Sequence, residues 1–201
     1  MKGDYENIVK FFSELGMLKK QKHVGFWLAG VADPDSVAEH SFRTAQIAYI
    51  LGHLEGVNPE KCALICLIHD NADARIGDQN KVNARYYKVK EAEEKAFKEQ
   101  VENLPREIVD IFYQLFIEKE KRNTKEGVIA QDADWLEVAI QAKEYLEQGY
   151  KGCQNWIDNV EKALETKSAK EILKIVKNTD MTNSWWQGLK KMTYKKLDKK
   201  G

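Results

Sequence analysis

The chain is poor in everything that interrupts a helix. Its 201 residues include 3 prolines and 12 glycines. Apolar residues recur at the 3.6-residue helical period almost throughout, and no stretch shows the alternation that marks a strand. An all-α fold is expected. Cysteine is equally scarce: Cys62, Cys66 and Cys153 are odd in number and too few for a disulfide framework, which fits a reducing, cytoplasmic setting. Cys62 and Cys66 stand four apart with no second Cys/His pair beside them, so they read as small core residues rather than half a zinc site. No apolar run approaches the ~18 residues needed to cross a bilayer. The first residues, Met1-Lys2-Gly3-Asp4-Tyr5-Glu6, lack the apolar segment of a secretion signal. Net charge is missing too. The 32 Lys and Arg balance the 32 Asp and Glu, which removes the whole-chain electrostatic argument for nucleic acid or an anionic membrane as partner. With no internal repeat and no low-complexity linker, one domain over residues 1–201 is expected, a size at which a core forms without disulfides or structural metal.

What is present is a succession of amphipathic helices with legible ends. Residues 4–15 carry Tyr5, Ile8, Val9, Phe12 and Leu15 as an expected buried stripe. A connection over 19–35 follows, basic at first, then aromatic, then turn-like at Asp33-Pro34-Asp35. Connections longer than about 12 residues are uncommon and often functional. Ser36-Val37-Ala38-Glu39 is a capping box, with Ser36 as N-cap and Glu39 reaching back. It places His40 in the first turn of the next helix, on one face with Thr44, Ile47, Ala48 and Leu51, while His53 falls on the far side. Asn58-Pro59-Glu60 opens a third helix, which carries Leu64, Leu67 and Ile68. The charged segment 82–104 is expected to be a helix with a solvated face. Further helices are expected over 106–119, over 125–148 with Thr124 as cap, over 154–164, and from Ser168, where Ser168 and Glu171 make a second capping box. The tail over 185–200, aromatic and then lysine-rich, reads as a docked amphipathic helix.

The stretch with chemistry in it is His69-Asp70, at the end of the apolar run Ala63-Leu64-Ile65-Cys66-Leu67-Ile68. A polar pair there must be hydrogen-bonded, ligated or costly, since an unsatisfied buried polar group costs roughly 2–7 kcal/mol. Three helices offer candidate ligands: His40, then His69 and Asp70, then Asp134. Two imidazoles and two carboxylates suit Mn²⁺, Fe²⁺, Co²⁺, Ni²⁺, Zn²⁺ or Mg²⁺. Such an ion can polarise a phosphoryl oxygen and lower the pKa of bound water. Neighbouring helical residues point about 100° apart, so His69 and Asp70 converge on one ion only at a helix end, where they sit. An ion-paired core histidine is the alternative reading of the same residues. Asp73, four residues after His69, joins the patch if the helix continues. Glu39 reads as a cap, Asp132 as solvent-facing, and Arg75 and Arg85 as structural or interfacial; Glu137 reads first as a structural residue, with support of Asp134, three residues away, as the alternative.

Taken in order, Ser36-Val37-Ala38-Glu39-His40-Ser41, His69-Asp70, Gly77-Asp78 and Ala133-Asp134-Trp135-Leu136-Glu137 resemble the HD-domain superfamily of metal-dependent phosphohydrolases. Within it they look most like the YfbR-like 5′-deoxynucleotidases. The resemblance runs over residues 18–150, leaving C-terminal helices over 153–200 to pack on that core. It implies an all-α HD helical bundle with one divalent metal ion, Mn²⁺, Co²⁺ or another transition metal, or else Mg²⁺, held by His40, His69, Asp70 and Asp134. It implies removal of the 5′-phosphate from deoxynucleoside 5′-monophosphates by a homodimer. Asp73 would act on the attacking water, Asp78 would help position substrate or water, and Lys22 or His23 would bring positive charge to the phosphate. Two positions depart from the family pattern. Asp73 stands where the family has glutamate, shorter in reach by ~1.5 Å, one carbon–carbon bond. The loop ahead of the second helix reads Lys22-His23-Val24-Gly25-Phe26-Trp27, where the family has an arginine before a tryptophan, so the bidentate guanidinium fork is missing. The rival expectations are an HD phosphodiesterase or nucleoside triphosphate hydrolase, and a metal- and nucleotide-binding protein of weakened activity.

Overall fold

The computed structural model describes residues 2–187 and 189, and among these every regular element is helical. Three helices make the centre: α2 (Val37–Leu54), α3 (Pro59–Ile68) and α7 (Lys125–Glu147), each packed on the other two. Their contact faces explain the close approach. Ala130, Ala133, Ala139 and Ala142 of α7 are fully buried, as are Cys62 and Cys66 of α3. The two cysteines are thus small core residues, and Cys66 Sγ lies 3.5 Å from the Ala130 carbonyl. Around this centre lie α1 (Lys2–Leu15), α4 (Asp73–Ile76), α5 (Val89–Val101) and α6 (Arg106–Lys121), and α8 (Gln154–Ala163) and α9 (Lys167–Asn178) pack on α7. One hydrophobic cluster joins Phe26, Leu51, Ile65, Phe97, Leu136, Ile157 and Leu173, which come from seven different elements.

The helix starts follow local chemistry. Asn58 caps α3 with Pro59 at its first position, and Thr124 Oγ1 accepts from Gly127 N at the start of α7. Elsewhere the structure corrects the sequence reading. The helix expected from 82 begins at Val89; before it, Asn80 Oδ1 accepts from the Val82 and Asn83 amides and closes a separate turn. The N-cap of α9 is Thr166, not Ser168, whose own amide donates to Glu55 Oε1. In α1 Phe11 is buried, packed 6.3 Å from Phe112 of α6, while Tyr5, Val9 and Phe12 are exposed. Of the tail expected over 185–200, Trp185 and Trp186 are exposed and in turns, and Gln187 and Leu189 apart, the rest lies outside the described residues.

α3 also stops sooner than its pattern suggests. Beyond Ile68 the chain tightens into turns, with Asn71 N donating to Ile68 O and Asp73 N to Asp70 O, before α4 begins. His69 and Asp70 are therefore released from helical spacing. Gly77, at φ +72, ends α4 in a conformation that favours glycine and turns the chain toward Asp78.

Candidate metal centre

The capping box at the start of α2 sets the first candidate ligand. Ser36 Oγ accepts from Glu39 N at 3.2 Å, and Glu39 Oε2 accepts from Ser36 N at 2.7 Å. Glu39 is thus a cap, and the helix it starts points His40 inward, 1% exposed. Glu137 of α7 accepts from His40 Nδ1 and is itself held by Arg43, whose Nε donates to Glu137 Oε1 at 2.8 Å. His69 repeats the arrangement, its Nδ1 donating to the Cys66 carbonyl at 2.6 Å. A proton fixed on each Nδ1 leaves each Nε2 a lone-pair donor.

Those two nitrogens face one point. His40 Nε2 lies 3.4 Å from Asp134 Oδ1 and 3.8 Å from Asp70 Oδ2. His69 Nε2 lies 3.1 Å from Asp70 Oδ2 and 3.9 Å from Asp134 Oδ1. The donors of His40, His69 and Asp134 all fall within 4.8 Å of one another. His69 Nε2 is buried and has no hydrogen-bond partner. Converging lone pairs with no donor between them fit a cation, and the mixed N/O set fits a divalent one. Without it the site relaxes by taking a proton. Burial pulls His40 down, but Glu137 and Asp134 outweigh it and hold the imidazole well above its ordinary value. At His69 burial prevails and the value falls.

Asp134 is anchored from behind by a residue the sequence reading missed. Lys119 of α6, only 7% exposed, donates from Nζ to Asp134 Oδ2 at 2.8 Å, and Gln131 Nε2 adds a second bond at 3.1 Å. Burial raises the Asp134 carboxyl, but Lys119 and the two histidines more than offset it and hold the group well below the carboxylate range. Nothing in the run Glu118-Lys119-Glu120-Lys121 signals that one of its lysines is buried. Glu93 of α5 was missed likewise; burial, helped by Glu120 and Asp70, raises it to about 7.

The remaining predicted residues arrange themselves around this centre. Asp73 opens α4, buried, and burial together with Asp70, Asp78 and Glu93 pushes it up to about 9. Asp78 Oδ2 accepts from Val24 N at 2.7 Å, which ties the long connection to the centre; burial raises this carboxyl too. In that connection His23 lies with its ring 4.4 Å from that of His40 and its Nδ1 3.4 Å from Asp35 Oδ2. Lys22 is turned elsewhere, its Nζ bound by Asp33 at 2.6 Å and by the Pro34 carbonyl at 2.9 Å. Arg75 is structural, paired with Glu14 and Glu99. Asp132 is not solvent-facing. It is fully buried and accepts from Glu165 N, Thr166 N and Thr166 Oγ1, because α8 and α9 cover that side of α7.

Comparison with known proteins gives the family. The profile of the HD domain family matches residues 15–176. Over 140 residues the chain is 29% identical to the 5′-deoxynucleotidase HDDC2 of Bos taurus, covering 69% of this chain and 68% of that one. Over 147 residues it is 27% identical to the 5′-deoxynucleotidase hdd1 of Schizosaccharomyces pombe, covering 69% and 72%. Among solved structures, a conserved hypothetical protein from Pyrococcus furiosus superposes with a TM-score of 0.70 at 32% identity, over 85% of this chain and 99% of that one.

Proposed function

The chain belongs to the HD-domain family, and from that premise we propose that it is a metal-dependent phosphohydrolase that removes the 5′-phosphate from deoxynucleoside 5′-monophosphates. The observation that carries the reading is the pair of buried imidazoles, each with Nδ1 tied down and Nε2 turned toward Asp134, with Asp70 Oδ2 3.1 Å from His69 Nε2. The deoxynucleotide substrate follows the activity named for the relatives. His40, His69, Asp70 and Asp134 hold the ion, and two nitrogen ligands favour Mn²⁺ or Co²⁺ over Mg²⁺. Bound there, a divalent ion supplies Lewis acidity toward a phosphoryl oxygen and a lowered pKa for water.

The protein's own groups do the rest. Asp73 faces the attacking water; the charge of a bound ion would offset the burial and carboxylate repulsion that hold its proton and so let it accept one, at a reach one carbon–carbon bond shorter than a glutamate gives. Asp78, held by the Val24 amide, orients substrate. Of the two residues offered by the long connection, His23 is better placed to meet the phosphate, since its ring lies against His40 while Lys22 is engaged by Asp33. The working form is a homodimer. Exposed Phe42 and Leu67 border a groove of about 310 Å³ between α1, α2, α3 and α6, which a second copy would cover. Three free, buried cysteines suit the cytoplasm.

The test uses protein stripped of metal and reloaded with Mn²⁺ or Co²⁺. Inorganic phosphate is expected from deoxynucleoside monophosphates. Release of pyrophosphate from triphosphates, or of nucleotide from diesters, in its place would favour the other HD chemistries. With metal bound and no phosphate released from any deoxynucleoside monophosphate, the proposal fails.

A further inference from the structure

Beside the metal centre lies a cavity of about 480 Å³ with two kinds of lining. His23 and Asp78 are polar, and the His23 ring lies against that of His40. Phe26, Trp135 and Trp156 are aromatic. Trp156 is fixed by stacking on the buried Phe26, with ring centroids 5.7 Å apart and planes at 27°. Trp135 directly follows the ligand Asp134 in α7. From α8, which also carries Trp156, come the exposed amides of Asn155 and Asn159, joined by a bond from Asn159 Nδ2 to Asn155 Oδ1 at 3.3 Å. That bond leaves both N–H donors of the Asn155 amide and the Asn159 amide oxygen for a ligand.

We propose that this cavity is the nucleobase site, with the base stacked against Trp156 and its polar edge meeting the Asn155–Asn159 pair. The proposal rests on the deoxynucleotide reading above and adds to it the residues that recognise the base. Continuity is the first argument. A phosphate at the metal centre lies past His23 and Asp78, so the remainder of a nucleotide has this cavity to enter. Size is the second, because small-molecule sites span roughly 300–1,000 Å³. The third is chemistry. The base is the flat heteroaromatic part of a nucleotide, and stacking on aromatic side chains is how proteins hold such a ring without requiring one sequence of donors and acceptors. The sugar and phosphate carry no such face.

The test compares dAMP with 2-deoxyribose 5-phosphate, which has the phosphate and sugar but no base. In Trp156→Ala the ratio of kcat/KM for dAMP to that for the base-free phosphate falls by about tenfold or more, through KM for dAMP, and Trp156→Phe restores most of it. An unchanged ratio overturns the proposal, whether both activities persist or both decline together. Asn159→Leu, at an exposed position, lowers the same ratio by a smaller factor and serves if Trp156→Ala does not fold. A second measurement needs no catalysis: deoxyadenosine, titrated into EDTA-treated wild-type protein, quenches tryptophan emission saturably. No saturable quenching up to the solubility of the nucleoside also overturns the site. Saturable binding of deoxyadenosine without hydrolysis of any deoxynucleoside monophosphate would sink the enzymatic reading and leave the base site standing. Hydrolysis with an unchanged ratio would do the reverse.

Discussion

At Asp73 the fold works against itself. The carboxyl is pushed up to about 9 by burial and by Asp70, Asp78 and Glu93, from an ordinary value of 3.8. Between those two values the folded chain keeps a proton that the unfolded chain releases, so this group costs stability progressively as pH rises through that interval. Asp73→Asn removes the cost. The melting temperature of the EDTA-treated variant should exceed that of wild type at about pH 8 and approach it at about pH 4, as read by thermal denaturation at both. Equal melting temperatures at the higher pH would show that Asp73 ionises freely in the fold. Glu137 bears on metal binding through its bond to His40 Nδ1, a proposed ligand. Glu137→Gln weakens that acceptor, and supports of this kind are worth ~10–100-fold in metal affinity, measurable by competition with a chelator. These residues were not equally legible. His40 followed from a cap one turn away, whereas Glu137, spaced to support Asp134, binds His40 and Arg43 instead. Lys119 did not follow either, because alternating charges look alike whether solvated or buried, and only the seating of α6 against α7 decides which lysine is covered.

Among the elements, what reads from sequence is what depends on neighbours in sequence. The caps Ser36, Asn58 and Thr124 are local contracts between a side chain and an amide three residues on, and all three hold. Which face a helix buries is settled by other helices. Phe11 and Phe12 are equally apolar, and it is Phe112 on α6 that selects Phe11. The angle of Asp132 from Asp134 points it to solvent, yet it anchors the start of α9, which the sequence places thirty-odd residues away. The junction of α6 and α7 shows how tightly such seating is fixed. A Cβ at Gly127 would fall 2.3 Å from the Glu118 carbonyl oxygen, which is backbone and cannot swing aside. Gly127→Ala should destabilise the protein by ~1–3 kcal/mol or more, as overpacking does, seen as a lower urea midpoint with an unchanged slope. Because Lys119 sits one residue beyond Glu118, the same variant should also disturb the anchor of Asp134.

At the scale of the whole molecule the proposed metal ligands come from, or directly follow, the three helices that pack on one another at the centre, and the packing brings them to one point. His40 comes from α2, His69 and Asp70 from the turns after α3, and Asp134 from α7. In the unfolded chain these groups are far apart, so an ion binds the native state and stabilises it by mass action. At a hundredfold excess over Kd the gain is about 2.7 kcal/mol. For a domain of this size each kcal/mol moves the melting temperature by about 2–4 °C, so Mn²⁺ should raise it by roughly 5–11 °C and EDTA should reverse the shift. Two features sharpen the expectation. The gain should be larger at about pH 8 than at about pH 6, because ligands bind the ion deprotonated and because His40 without an ion holds its proton well above the ordinary range. Asp134→Asn should abolish most of the metal-dependent part, leaving an EDTA-insensitive melt. A wild-type protein whose melting temperature ignores both Mn²⁺ and EDTA would return the two histidines to the other reading their sequence allowed, imidazoles held in the core by carboxylates.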